Sequence, residues 1–426
     1  MMEKIKSFYY KDNFDLHTGY VDPFEFHQTF YRMLVAFKVA DLGNKYIYMY
    51  FNQNAILFIA GFMSIFLTLT SFIHGLEIFD LTHMTESGSY SILLSYEFLI
   101  LYCTRKNIPQ YHNLLLALKE DFHYICTVGE KYRLEIISYP YSFIIDCVIF
   151  SFSSLLCLYA CLISAFVPIA MNIFSYLALC YFLVTHDADT TESRPLLFPF
   201  WMPNIDFSKS PSYEIAFIFA NISVVLYSYN YAFMLQTQIV WIRQITSKVD
   251  IVTWSLRDLL VDIHPATSEE EVQRFSHLID TRMRDIVMHH QSMCRLLEEY
   301  AIVYKKLLLF EQAVCGPVVC LTAFCIAEKF DQGQFQAILL ILLVATTILH
   351  FIPSYMCTYL TSEVKSVCSA CWNIPFWNAG PVIRPYLVLI IQRSLRPLPL
   401  QAPGFKDVST MSSAYSLFNM LRQTSV

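Results

Sequence analysis

The sequence has little charge and little glycine. Charged residues make up 15% of the 426, glycine occurs ten times, and the 29 lysines and arginines form no dense patch. A soluble domain carries about 25% charged residues, so an ordinary soluble domain is excluded. Scattered basic residues cannot neutralise a run of phosphates, which excludes nucleic-acid binding. Instead, 56% of residues are hydrophobic and mean hydropathy is +0.44, which predicts a polytopic membrane protein.

The sequence also lacks a group of residues that could form a catalytic or metal-binding site. Cys368 and Cys371 form a C-x-x-C pair, but no second pair follows at the spacing of a zinc site. His289 and His290 are adjacent, whereas a histidine-ligated membrane enzyme needs several such groups. We therefore expect no enzyme activity, no cofactor and no metal. Residues 1–20 lack the short apolar core of a signal peptide, so we expect a cytosolic N-terminus.

Long apolar runs divide the chain. A helix needs about 20 apolar residues to cross the hydrocarbon layer. Six segments meet this length: 54–74, 86–104, 140–162, 213–235, 308–327 and 335–358. A seventh segment, 405–426, has the length of a span but is much more polar. The sequence predicts an all-α membrane protein with seven transmembrane helices.

The distribution of lysine and arginine predicts the orientation, because cytoplasmic loops hold the excess of both. The N-terminal segment holds six lysines and arginines, and the connection after span 2 holds five. The connection after span 4 holds nine, and the one after span 6 holds four. The alternate connections hold three, which are Arg194, Lys209 and Lys329. We therefore expect the N-terminus in the cytoplasm and the C-terminus outside. This is the reverse of a G-protein-coupled receptor.

These assignments give an expected organisation. We expect a cytoplasmic segment at 1–53, followed by spans 1–4 within 54–240 and an outer lid loop at 163–212. A cytoplasmic helical hairpin at 241–307 would lead to spans 5–6 within 308–360. The cytoplasmic part of helix 7 would occupy 361–404, and a pore helix would occupy 405–426.

The cytoplasmic hairpin has its own pattern. Residues 212–264 and 266–315 contain no glycine or proline, which predicts two long helices separated at Pro265. The second helix, from about 269 to 327, exceeds the thickness of a membrane. Apolar residues recur every seven positions, a spacing typical of lengthwise helix packing; they are Val272, Ile279, Ile286, Met293, Tyr300 and Leu307. An intramolecular bundle and a contact between subunits both fit this pattern.

The last segment is too polar to be surrounded by lipid. Its serines, Asn419 and Gln423 each need a polar partner where water is absent. One face carries Ser409, Ser413, Ser416, Met420 and Gln423. A weakly polar stripe interrupted by an apolar ring is typical of a cation pathway with a hydrophobic gate. A helix packed in a bundle through small residues is the alternative.

Three stretches carry a family resemblance. The segment "LLFPFWMPNIDFSKSPSYEI" is similar to the second outer loop of insect odorant receptors. The cytoplasmic helix leading to span 5 and the ending "PLPLQAPGFKDVSTMSSAYSLFNMLRQ" also resemble that family, although Pro403 departs from its usual turn. The long insertion of the co-receptor subunit between spans 4 and 5 is missing, so the chain resembles a ligand-tuning subunit.

The resemblance implies a function. It implies an odorant-gated, nonselective cation channel in the plasma membrane of olfactory neuron dendrites, formed as a heterotetramer with the insect co-receptor subunit. The last helix of each subunit would line the pore, with Met420 at its constriction and Gln423 just outside it. A volatile odorant or pheromone would bind among the other spans, in the outer half of the membrane.

Helix geometry suggests residues for this pocket. The outer halves of spans 2, 3, 4 and 6 would present an apolar and aromatic lining suited to a small volatile of low polarity. The candidates are Tyr90, Leu94, Phe150, Ser153, Ser154, Cys157, Phe217, Ala220, Phe335 and Ile338. Ordinary interhelical packing is the alternative for each. Glu97 and Asp146 should face the protein interior, as structural residues or as functional ones.

Two other classes of membrane protein could have such a composition. A gustatory-type channel forming homotetramers would share the topology, although "SAYSLFNMLRQ" favours the odorant class. A transporter usually shows two similar halves or broken helices, and the sequence shows no such repeat.

Overall fold

The computed structural model describes residues 47–127, 151–185, 194–260, 269–333, 336–374 and 382–396. Within these ranges the protein is helical, apart from short turns and the loop 194–211, which holds an isolated bridge between Met202 and Ile205. The helices are α1 (Ile47–Glu77), α2 (Leu81–Lys106), α3 (Ile108–Thr127), α4 (Ser151–Thr185), α5 (Ser212–Arg257), α6 (Glu269–Asp331), α7 (Ala337–Trp372) and α8 (Arg384–Ser394).

Five of the described helices are long and apolar enough to cross a membrane, namely α1, α4, α5, α6 and α7. The more polar α2, which carries the predicted span 86–104, packs against α1, α5 and α6. A helix that faces protein on most sides does not need a fully apolar surface. These helices confirm the prediction of an all-α membrane protein.

The close pairing of α1 and α2 depends on a glycine. A Cβ atom at Gly75 would lie 3.1 Å from the backbone of Met84, so a larger residue would push the two helices apart. The turn between them includes Phe79, which has a positive φ of 55°. Asp80 then caps α2, since its carboxylate accepts a hydrogen bond from the His83 backbone N–H at 3.0 Å.

The expected lid loop at 163–212 was wrong in its first part, because α4 continues through residues 163–185. This stretch is apolar and contains no glycine. Pro168 lies inside the helix and does not end it, and the Asn172 side chain donates a hydrogen bond of 2.6 Å to the Pro168 carbonyl. Proline is more frequent in membrane helices than in soluble ones, so Pro168 is compatible with a span.

The expected helix 7 segment at 361–404 also needs correction. Residues 361–372 continue α7, which carries predicted span 6, and α8 is a separate helix. Pro353 lies inside α7 without ending it, and no further proline or glycine occurs before Pro375, so α7 extends beyond the membrane-crossing length. The pore segment 405–426 and the N-terminal segment up to residue 46 lie outside the described residues.

The long helix predicted from about 269 to 327 is confirmed as α6, with 63 residues. At 1.5 Å per residue it is about 95 Å long. Five of the six heptad residues are at most 3% exposed, whereas Val272, near the helix start, is 49% exposed. The heptad face therefore packs within the chain over most of its length.

The buried residues form two clusters. The first, which we call the dense core, is built by α2, α3, α5, α6, α7 and α8 around Trp241, Tyr300 and Leu360. The second, which we call the cavity cluster, lies around Tyr90 and Phe198. It is built by α1, α2, α4, α5, α6, α7 and the loop before α5.

The dense core is filled with aromatic side chains. Trp241 is fully buried, and its indole N–H donates to the Leu296 carbonyl at 3.3 Å. The rings of Tyr111, Tyr300 and Tyr304 lie 5.7 to 6.2 Å from it, centroid to centroid. These contacts join α3, α5 and α6 into one packed unit.

Candidate functional site

A cavity of about 130 Å³ lies in the cavity cluster, between α2, α4, α5, α6 and α7. Apolar side chains form most of its surface, and they include Leu93, Val167, Met171, Val224, Val318 and Leu342. A cavity of roughly 150 Å³ with apolar walls is large enough to admit benzene. The space therefore suits a small apolar molecule.

The α2 side of the cavity follows from helix periodicity. In "YSILLSYE", Tyr90, Leu94 and Glu97 are separated by four and three residues, so they lie on one face of the helix. All three line the cavity, and Tyr90 is 1% exposed. This face presents an aromatic ring, an aliphatic chain and a carboxylate in succession along the cavity.

The loop before α5, described from residue 194 to 211, covers one end of the cavity. Phe198 lines it and is 3% exposed. Its ring lies 5.3 Å from that of Tyr90 at an interplanar angle of 80°, an edge-to-face arrangement. Phe198 therefore forms part of the cavity wall, which the sequence did not predict.

Three contacts fix the loop in place. The Thr70 hydroxyl donates to the Trp201 carbonyl at 2.7 Å, and His74 stacks on the Trp201 ring at 4.0 Å. At the other end the Tyr213 hydroxyl donates to the Pro195 carbonyl at 2.9 Å. These contacts tie the loop to α1 and α5, so Phe198 is held over the cavity by the two neighbouring helices.

An aspartate shapes the solvent-facing turn of the same loop. Hydrogen bonds from the Ser208 hydroxyl and backbone N–H, and from Lys209, lower the pKa of Asp206 to about 2. Asp206 is therefore ionised throughout the physiological range, and we expect the turn to be insensitive to pH there.

The cavity has a polar end, where it meets the dense core. Glu97 and Glu311 both line it, and they are 8% and 6% exposed. The Asn230 amide donates to the Glu97 carboxylate at 3.1 Å and to the Glu97 carbonyl at 3.0 Å. Tyr96 and Tyr231 also line this end while belonging to the dense core. The cavity thus combines a long apolar surface with one buried acidic end.

A further hydrogen bond holds α1 against this region. Tyr227, which lines the cavity from α5, donates its hydroxyl proton to Ser64 on α1 at 2.8 Å. Its ring therefore has a fixed position on the cavity surface.

The structure places the predicted pocket residues unevenly. Tyr90 and Leu94 line the cavity. Phe217 instead packs between Tyr176 and Tyr213, with ring centroids 5.2 and 5.8 Å away. Ala220 and Ile338 belong to the surrounding cluster without lining the cavity.

Other predicted residues stay predictions. The structure describes the α4 backbone at Ser153, Ser154 and Cys157 but not their side chains. The remaining candidates lie outside the described residues, and they are Phe150, Phe335, Ser416, Met420 and Gln423, together with Asp146.

Sequence reasoning missed several cavity residues, above all Glu311. It is a single acid in the apolar run "LLLFEQAV", the same signal that singled out Glu97. Glu97 does face the interior, as expected. Phe198 was assigned to a loop, and no periodic pattern in that loop indicates which side chain turns inward.

Comparison with known proteins identifies the family. A family model described as "7tm Odorant receptor" matches residues 156–414. No curated protein matches the chain at a significant level. Two solved structures of the insect olfactory receptor OR5 from Machilis hrabei share the fold, and one of them is a complex with eugenol.

The structural similarity extends over nearly the whole chain. One OR5 structure has a TM-score of 0.66 and 12% sequence identity with this chain, and the eugenol complex has a TM-score of 0.69 and 13% identity. Each match covers 95% of this chain and all of the other. With more than half of its length matched by the family model, this chain belongs to the 7tm odorant receptor family.

Proposed function

We propose that the protein is a subunit of an odorant-gated, nonselective cation channel that binds a small volatile in the cavity between α2, α4, α5, α6 and α7. The observation that carries this proposal is the largely apolar cavity between the helices of a member of the odorant receptor family. The protein would be a multi-pass protein of the plasma membrane in olfactory neuron dendrites.

The cavity supports the ligand-binding part of the proposal. A volatile molecule has few polar groups, so its binding relies on dispersion contacts and shape. The apolar surface formed by Met171, Val224 and Leu342 offers such contacts from three helices. A protein of the same fold was solved with eugenol, a small volatile phenol, which agrees with a ligand of this size class.

The pore would be formed by the last helix, 405–426. In this arrangement Met420 forms the constriction, with Ser416 and Gln423 on the same face. Leu342, Ala345 and Thr346 on α7 line the cavity, and the chain after α7 leads through α8 towards that helix. A ligand-dependent shift of α7 would therefore have a direct covalent route to the pore. The lysine and arginine distribution supports a cytoplasmic N-terminus and an outer C-terminus.

We propose a heterotetramer with the insect co-receptor subunit. The test is whole-cell current in cells expressing the chain with and without that subunit, against volatile alcohols, esters, aldehydes, amines and terpenoids. We expect odorant-evoked cation current with the co-receptor and none without it. Current from the chain alone would instead support the gustatory-type homotetramer. Surface expression with the co-receptor but silence across the panel would contradict the proposal.

A further inference from the structure

Four basic residues lie where α2 and α6 meet one boundary of the predicted membrane layer. Arg105 and Lys106 end α2, directly after its predicted span. Lys305 and Lys306 lie on α6, just before predicted span 5. Because α2 and α6 pack against each other, both pairs lie at the same end of their spans. We call these four residues the boundary cluster.

The buried Cys103 thiol locates the boundary cluster. Cys103 is 4% exposed, and the ammonium groups of Lys106 and Lys306 both act on its thiol electrostatically. The two lysines therefore flank one point of the contact between α2 and α6. Lys106, Lys305 and Lys306 are exposed and Arg105 is half-buried, so the cluster faces outward from the bundle.

The boundary cluster keeps its positive charge in the described part of the chain. None of its four residues forms an ion pair with another described residue. On α6, Glu298 pairs with Arg393, and Glu299 accepts a hydrogen bond from α3. Glu97 and Glu311 line the cavity instead. The first two turns of α3 contain no acidic residue.

An exposed tyrosine precedes the cluster on its membrane side. Tyr102 is 51% exposed and lies four residues before Lys106, so both belong to one face of α2. Tyrosine is enriched where a membrane meets water. A lysine there covers apolar surface with its stem and extends its ammonium group towards the water. This order of side chains fits the depth of phospholipid headgroups.

We propose that the boundary cluster binds the headgroup of an anionic phospholipid. Ammonium and guanidinium groups donate charge-assisted hydrogen bonds to phosphate and carboxylate oxygens. Basic residues next to a span attract the anionic lipids of the cytoplasmic leaflet, and the lysine and arginine distribution predicts that this boundary is the cytoplasmic one. The surface lies outside the cavity, so the inference is independent of the proposed odorant.

Native mass spectrometry of the purified full chain measures lipid binding directly. The protein in neutral detergent is titrated with phosphatidylserine and with phosphatidylcholine of the same acyl chains, and the dissociation constants of the first bound lipid are compared. We expect phosphatidylserine to bind at least about fivefold more tightly, since the two headgroups differ in net charge. Equal affinities would overturn the inference.

Variants assign the preference to the boundary cluster. The neutral variant replaces its three exposed lysines by glutamine and should reduce the preference to about twofold or less; it is Lys106→Gln/Lys305→Gln/Lys306→Gln. Arginine at the same three positions keeps the charge and should keep the preference. The matched control removes three exposed charges from other parts of α6 and α8 and should also keep it; it is Arg295→Gln/Arg384→Gln/Arg396→Gln.

The other outcomes are decisive as well. A preference that survives in the folded neutral variant would place the lipid elsewhere and overturn the inference. An equal loss in the matched control would show an effect of net charge alone, with the same consequence. If the neutral variant fails to fold, Lys106→Gln/Lys306→Gln decides by the same criterion. Displacement of phosphatidylserine by glycerophosphoserine at the same concentration would show that the cluster takes a soluble anion instead of a lipid.

Discussion

The dense core and the cavity cluster share α2, α5, α6 and α7, yet these helices pack differently in the two places. In the dense core Trp241, Tyr300 and Tyr304 fill the space between the helices, and the Thr237 and Tyr304 hydroxyls lie 2.6 Å apart. In the cavity cluster the same helices leave a space of about 130 Å³. One part of the bundle can therefore hold the helices together while the other accepts a ligand.

The difference also explains how binding could reach the rest of the molecule. Tyr96 and Tyr231 line the cavity and pack in the dense core at once. A molecule that moved these rings would press directly on a closely packed unit. Close-packed interiors transmit displacement because they have little free volume to absorb it.

The largest effect is expected from removing the centre of the dense core. Trp241→Ala should lower the free energy of unfolding by about 3–5 kcal/mol, because it deletes a fully buried indole and its hydrogen bond to the Leu296 carbonyl. Fluorescence-detected size-exclusion chromatography after heating would measure the loss. Trp372→Ala, at a tryptophan that is 66% exposed, should cost little. Equal losses at both positions would contradict the description of the core.

The same substitution placed in each cluster sharpens the comparison. Val252 is fully buried in the dense core, whereas Val224 lines the cavity. Val252→Leu should destabilise by about 1–3 kcal/mol through overpacking. Val224→Leu adds its methylene to empty space, so it should leave thermal stability nearly unchanged and reduce the largest odorant accepted. Denaturation curves and dose–response currents would separate the two outcomes, and a stability loss at Val224 would argue against an open cavity.

A substitution at Phe198 tests whether the loop before α5 covers the ligand-binding cavity. Phe198→Ala removes the ring that meets Tyr90 edge-to-face, so it should raise the half-maximal odorant concentration about tenfold for small ligands. The response to larger ligands should fall less, since the cavity is enlarged. Phe330→Ala, at a phenylalanine that is 68% exposed, serves as the control for a lost ring. An unaltered dose–response curve in Phe198→Ala would place the ligand elsewhere.

The smallest effect is expected from removing the Tyr304 hydroxyl group. Tyr304→Phe keeps the ring and removes the contact with the Thr237 hydroxyl at 2.6 Å, which should cost about 0.5–1.5 kcal/mol of stability. Odorant sensitivity should be unchanged, because Tyr304 does not line the cavity. A large change in sensitivity with normal stability would show that the dense core takes part in ligand recognition.

Much of the fold could be predicted from the sequence. The apolar runs indicated the helices. The absence of glycine and proline from residues 212–264 and 266–315 indicated that α5 and α6 extend beyond membrane length, and α6 also continues through Gly316 and Pro317. The end of α4 was not predictable from the predicted span 140–162, because the membrane-length apolar stretch of the described helix is Phe166–Thr185, which contains Pro168. Length alone could not show how far α7 continues past residue 360.

The cavity was less predictable than the helices. The periodicity of α2 places Tyr90 and Leu94 on one face, and both line the cavity. It could not distinguish residues that line a space from residues that fill one, and Phe217 and Ala220 proved to be of the second kind. That distinction depends on the volumes of side chains from several helices meeting at one place, which a single sequence does not contain.

The most direct test of the account is a density map of the purified protein bound to an odorant that activates it. The account predicts ligand density in the cavity bounded by Tyr90, Phe198, Val224 and Leu342. An empty cavity, with ligand density at another site of the same map, would contradict it.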